Sequence, residues 1–148
     1  MSETDPSPDL CFIDTNVWLY AFIAGSDAAK SERARQLLGV NEPSLVVSSQ
    51  VINEICVNLV KKAHLPEADI EELIRSFYHK YPVVLLDQVV QTSASQLRGR
   101  FSLSFWDSLI VAAAEHCGAT ALYSEDLQAG LRINERLTIQ NPFEDLSS

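Results

Sequence analysis

Asp14, Glu54, Asp107 and Asp126 are four carboxylates that the order of elements along this chain can deliver to one place. A carboxylate cluster without histidine or cysteine is hard-oxygen chemistry, which suits Mg2+ or Mn2+ better than zinc or copper. Two carboxylates about 4 Å apart repel by about 1 kcal/mol in water and about 4 kcal/mol in a protein-like environment. A converged set therefore calls for a counter-charge.

Each acid also has a plain structural use. Asp14 can cap the helix after it, and Ser104 with Asp107 has the spacing of a capping box. Glu54 lies on a helix whose stripe is Val51, Ile55 and Leu59, where a solvated glutamate is the simplest outcome. Asp126 and its neighbour Glu125 can be turn residues, and either could face a metal. The Asp107 helix favours the sharper reading. Trp106 and the run Leu109 to Ala114 leave little polar face, so it is expected to be buried nearly all round. Asp107 shares a stripe with Val111 and Ala114. A buried acid needs a partner, and no lysine or arginine lies within one turn of it on that helix.

Short apolar runs alternating with helical patterns must position these acids. Strands are expected at Leu10 to Ile13, Ser44 to Val47, Val83 to Leu86 and Ala121 to Tyr123, with a weak fifth at Thr138-Ile139. Helices are expected over Thr15 to Ala24, Asp27 to Leu38 (capped by Ser26 or Asp27 and stopped by Gly39), Gln50 to Ala63, Pro66 to His79, Gln88 to Leu97 and Phe105 to Cys117. Ser48-Ser49 caps the third helix, and Gly118 ends the last. Strands separated by helices imply an α/β domain with a mainly parallel sheet. In such a sheet, strand C-termini and following helix N-termini share one edge, where ligands bind.

Within 148 residues, one domain over 10–143 is the economical division, with an acidic, disordered tail at 1–9 and a short tail at 144–148. No apolar run reaches the roughly 20 residues of a membrane span. Cys11, Cys56 and Cys117 are too scattered for a zinc site and read as buried free thiols, in keeping with a reducing cytoplasm. Eleven basic against 20 acidic residues give a net charge of −9, which opposes generic nucleic-acid binding unless a metal alters the local field. Arg98 and Arg100, just before the Asp107 helix, are candidates for contacts to a phosphate backbone. Lys30, Arg33, Arg35, Lys61 and Lys62 are further ones.

Phe12-Ile13-Asp14-Thr15-Asn16, Asn53-Glu54, Phe105-Trp106-Asp107 and Tyr123-Ser124-Glu125-Asp126-Leu127 occur in the order of the PIN-domain motifs. The sequence resembles that family from about Leu10 to Phe143, and within it the VapC toxin ribonucleases, whose common ending is similar to Asn141-Pro142-Phe143. The resemblance implies a PIN-like three-layer α/β/α sandwich and Mg2+- or Mn2+-dependent cleavage of RNA, of the tRNA or rRNA class. It implies that Asp14, Glu54 and Asp107 are the core acids and Asp126 the fourth, more variable one. It further implies that Asn16 and Ser124 support the site. The partners it implies are a cognate antitoxin and a second copy of the chain.

Three other functions stay open on sequence. A non-catalytic PIN-like binding module would not bind divalent metal. A PIN-like DNA or flap nuclease would need a DNA-clamping insertion, and none is evident. A phosphatase of the haloacid dehalogenase type needs a second aspartate two residues after the first, where Asn16 stands.

Overall fold

The computed structural model describes residues 9–23, 25 and 27–146. The proposed tail at 1–9 lies almost wholly outside these residues, as do Ser26 and Ala24.

The chain begins with β1 (Cys11–Ile13), then α1 (Thr15–Phe22) and α2 (Ala28–Asn41). It continues with β2 (Leu45–Ser48), α3 (Ser49–Ala63), α4 (Glu67–Lys80), β3 (Val83–Val84), α5 (Gln88–Arg100) and α6 (Phe105–His116). The last part holds β4 (Ala121–Tyr123), β5 (Arg132–Ile133) and β6 (Leu137–Gln140). The strands form one sheet in the order β3-β2-β1-β4-β6-β5, parallel except for β5. This is the α/β fold with a mostly parallel sheet that the alternation of elements predicts. Every residue of β1 and β2 is buried. Side chains alternate between faces along a strand, so helices must cover both faces there.

Each of the first three crossovers carries two helices. The chain moves from β1 outward through β2 to β3, then returns to place β4 on the other side of β1. Strand order therefore reverses between β1 and β4. Phe12 pairs with Leu122 and Ile13 with Tyr123, so the two strands end level. The Asp14 N–H donates to the Tyr123 carbonyl at 2.9 Å, closing the pair at the crevice.

Local chemistry sets the helix starts. Asp14, Asp27, Ser48, Asp87 and Ser104 each accept a backbone N–H at the head of α1, α2, α3, α5 and α6. Gly118, at φ +80°, follows the end of α6 in the left-handed region that glycine tolerates. Gly39 does not stop α2, which runs on to Asn41 before a 3-10 turn at Glu42–Ser44. A single glycine costs a helix only about 1 kcal/mol. The strand expected at Val83 to Leu86 shortens to the two residues of β3, the weak fifth at Thr138-Ile139 lies within β6, and only β5, which pairs antiparallel with β6, escaped the sequence pattern.

The core is built on α6. Ser108 to Ala114 are all buried, and each of Leu109, Ile110 and Val111 contributes about 1.5–3 kcal/mol by leaving water. The expectation of burial all round fails in the first turn, however. Phe105 is 56% and Trp106 60% exposed. That turn projects beyond the core at the sheet's carboxyl edge, so its apolar residues have nothing to pack beneath. Trp18 instead is buried, donating Nε1–H to the Ile13 carbonyl and meeting Phe77 edge-on.

Cys11 is buried, whereas Cys56 and Cys117 are only half-buried, contrary to a fully buried set, and all three are free thiols. Burial, with the nearby Cys117, pushes the Cys11 thiol up to about 12. Such a thiol is inert as a nucleophile. No helix among the described residues is long and apolar enough to cross a membrane.

Candidate active site at the sheet's switch point

Asp14 is 93% buried at the tip of β1, which follows from its 7% exposure. Both of its carboxylate oxygens are held. Oδ1 accepts the Thr15 N–H at 2.7 Å, and Oδ2 accepts the Ser124 hydroxyl at 2.8 Å. Asp14 thus caps α1 while its other oxygen is held at the crevice, so a capping role does not compete with the site role expected of it. Burial pushes its carboxyl up to about 6, opposed by the Ser124 and Thr15 hydrogen bonds and reinforced by the charges of Glu54 and Asp107.

Glu54 is half-buried rather than solvated, because its side chain is turned inward by two donors. The Thr15 hydroxyl donates to Oε1 at 2.5 Å, and Gln50 Nε2 donates to Oε2 at 3.1 Å. The same Gln50 nitrogen reaches the Trp106 carbonyl at 3.3 Å, tying α3 to the head of α6. The Gln50 Oε1 is buried with no hydrogen-bond partner among the described residues. Such an acceptor is left for water or for the hydration shell of an ion.

Asp107 gives its N–H to the Ser104 hydroxyl at 3.1 Å, which is half of a capping box. Among the described residues no hydrogen bond engages its carboxylate. It lines one cleft with Asp126, between Phe101, Leu103, Gln128 and Leu131. Asp126 is exposed and accepts the Asn16 amide at 2.9 Å. Glu125 points elsewhere: Lys30 pairs with it and the Tyr20 hydroxyl donates to it at 2.9 Å. The structure thus separates the two adjacent acids, placing Asp126 on the Asp107 cleft.

Ser124 is fully buried and acts as a hub. Its oxygen donates to Asp14 while accepting the N–H groups of Asp126 and Leu127, both at 3.2 Å. Asn16 joins the same loop, its Oδ1 accepting the Glu125 N–H at 3.4 Å.

The basic candidates divide. Arg98 is half-buried, donates to the Ser108 hydroxyl at 2.6 Å and lies 4.4 Å from the Phe105 ring centre, so it fastens α5 to α6. Arg100 is exposed and reaches Asn134 at 3.1 Å. Lys30 is paired with Glu125, and Arg33 grips Asp145 and the Pro142 carbonyl. That grip holds a 3-10 turn at Glu144–Leu146 against α2.

Thr15 and Gln50 were missed from the sequence. Gln50 carries a signal in hindsight, one helical turn before Glu54. The Thr15–Glu54 bond spans 39 positions and has no local signal.

The donor set can be weighed against a hard cation. Among the described residues none of the four acids is ion-paired with a lysine or arginine. Also among them, no group of three or more His, Cys, Asp and Glu stands placed to hold one ion together. The two facts are compatible for Mg2+, which commonly uses one or two carboxylates and keeps several waters. The all-oxygen, cation-free set fits that class and does not fit a closed protein cage.

The PIN domain family model matches residues 11–130, and the chain belongs to that family. No curated protein sequence matches it. Among solved structures it is similar to a toxin-antitoxin complex from Klebsiella pneumoniae, with TM-score 0.68, 22% identity, and coverage of 90% of this chain and 98% of that one. It is similar to VapC20 of Mycobacterium tuberculosis, a Sarcin-Ricin loop cleaving toxin, with TM-score 0.63, 22% identity, and coverage of 76% and 86%. It is also similar to the DNA-bound VapBC of Salmonella typhimurium, with TM-score 0.65, 18% identity, and coverage of 91% and 99%.

Proposed function

We propose that this chain is a divalent-metal-dependent endoribonuclease, a VapC-type toxin that cleaves RNA of the tRNA or rRNA class and is neutralised by a cognate antitoxin. The observation that supports this is that the charges of Glu54 and Asp107 bear on Asp14, that Asp107 shares a cleft with Asp126, and that none of the four has a basic partner among the described residues. Membership of the PIN family and likeness to VapC toxins support it. The likeness to toxin–antitoxin complexes supports an antitoxin partner, and a homodimer acting in the cytoplasm completes the proposal.

Asp14 and Asp107 would hold a Mg2+ or Mn2+ ion, with Glu54 and Asp126 as direct or water-mediated ligands. When bound, such an ion supplies positive charge to the scissile phosphate and acidifies water for attack. The chain's own residues do the positioning. Ser124 and the Thr15 N–H fix the Asp14 carboxylate; the Thr15 hydroxyl and Gln50 fix Glu54; Asn16 steadies Asp126. One of these carboxylates orients the attacking water. Arg100, exposed and next in sequence to Phe101 of the cleft, is the better placed of the two arginines for RNA phosphate, because Arg98 is held inside.

The test is cleavage of RNA and DNA of one sequence by the purified chain with Mn2+. Cleavage of RNA alone, lost in chelator and in Asp14→Asn, is expected. Equal cleavage of DNA would move the chain to a DNA or flap nuclease. Failure to bind Mn2+ would leave a non-catalytic binding module.

A further inference from the structure

Phe105 and Trp106 present two exposed rings immediately before Asp107, packed edge to face with centres 5.4 Å apart. These rings are built in rather than loose. Arg98 lies against Phe105 and is itself anchored to the Ser108 hydroxyl, which also donates to the Phe105 carbonyl at 2.6 Å. The Trp106 carbonyl receives the Gln50 amide that also holds Glu54. One buried side chain thus sets the backbone of Trp106 in register with a site carboxylate. Trp18 is 3% exposed, so Trp106 is the only solvent-facing tryptophan of the two in the chain.

We infer that Trp106, braced by Phe105 and Arg98, is a stacking platform for one unpaired base of the RNA beside the scissile phosphate. This rests on the nuclease reading and names the substrate class of the same site: a single-stranded or looped RNA whose base can leave its stack. Bases offer a flat π-face to an aromatic ring irrespective of sequence, and unpaired bases are the ones free to do so. The Arg98 guanidinium, held against the Phe105 ring, stiffens the platform rather than reaching for the backbone. Two rings immediately before Asp107, itself on the acidic cleft, suit one base better than a protein partner, whose interface needs a broader apolar surface.

The experiment compares wild type, Trp106→Ala and Trp106→Phe on a cleavable single-stranded RNA, its base-paired form, and the RNA carrying an abasic residue at successive positions near the cut. Wild type is expected to cut the single strand and spare the duplex. Trp106→Ala should raise KM by roughly ten- to hundredfold, the scale of one lost base–aromatic stack, with kcat much less affected and Trp106→Phe restoring most of it. At one position the abasic RNA should cost wild type the same factor and cost Trp106→Ala nothing more. Binding of RNA to Asp14→Asn should quench the exposed tryptophan emission, which Trp106→Ala lacks. If wild type cuts no RNA with Mg2+ or Mn2+, the nuclease reading fails and the platform with it. If wild type cuts and Trp106→Ala matches it, or loses equally on intact and abasic RNA at every position, only the platform is overturned, and the rings belong to a protein contact.

Discussion

Asp14 and Glu54 form an inner pair, and Asp107 and Asp126 an outer one. The inner acids are buried or half-buried and held by four protein hydrogen bonds, from the Thr15 N–H, the Thr15 hydroxyl, Ser124 and Gln50. The outer acids, Asp107 half-buried and Asp126 exposed, line a cleft, and only Asp126 has its carboxylate held, by Asn16. The inner pair is thus preorganised at the expense of desolvation, while the outer pair is free to adjust to what binds. A rigid half and an adaptable half make different demands on mutation.

The largest effect should come from the inner pair. Asp14→Asn is expected to lower kcat of RNA cleavage by roughly a thousandfold or more, since metal-assisted charge stabilisation is worth several kcal/mol. Single-turnover assays with Mn2+ measure it, and a fall of only a few-fold would make the inner pair dispensable.

The same change should stabilise the metal-free fold. Asp14 titrates near 6 in the fold against an ordinary 3.8, so the folded state holds the proton more tightly. Metal-free stability therefore falls as pH rises from about 4 through 6 and stays low above 6. Asp14→Asn should remove that loss, raising stability in chelator at pH 8 by up to about 3 kcal/mol and by much less at pH 4. Urea titrations at the two pH values read this out, and equal gains at both would deny that ionisation is the cause.

Thr15→Val removes the hydroxyl that turns Glu54 inward while leaving the Thr15 N–H on Asp14. Loss of such a supporting hydrogen bond should cost about 10- to 100-fold in Mn2+ affinity or activity. Asp126→Asn, in the adaptable half, should instead be largely rescued by raising Mn2+. Titrating activity against Mn2+ for both variants tests the contrast directly, and identical curves would erase it. Smallest of all, Glu125→Gln should leave cleavage unchanged, because Glu125 faces Lys30 and Tyr20. Its partly exposed ion pair is worth about 0.2–1 kcal/mol of stability.

The legible parts of this molecule were those written locally. Ser48, Ser104 and Gly118 mark helix ends by residue type, and the alternation of strands with helices was enough to place Asp14 and Asp126 at one edge. Gly39 misled because propensity is a weak prior that a continuing helix overrides. Trp106 misled because an apolar pattern gives a helix's hydrophobic faces without saying where the core stops beneath it. The long-range bonds of Thr15 and Gln50 were invisible because they depend on how α1, α3 and α6 pack. The choice between Asp126 and Glu125 turned on Lys30 and Tyr20, far away in sequence.

The central claim is that the four acids form a cation-dependent RNA-cutting site. Its most direct measurement is cleavage of a defined RNA by wild type and Asp14→Asn, each with Mn2+ and with excess chelator. Cutting only by wild type with Mn2+, alongside a cooperative unfolding transition in both proteins, is the predicted result. Equal cutting by Asp14→Asn, or cutting that persists in chelator, would contradict it.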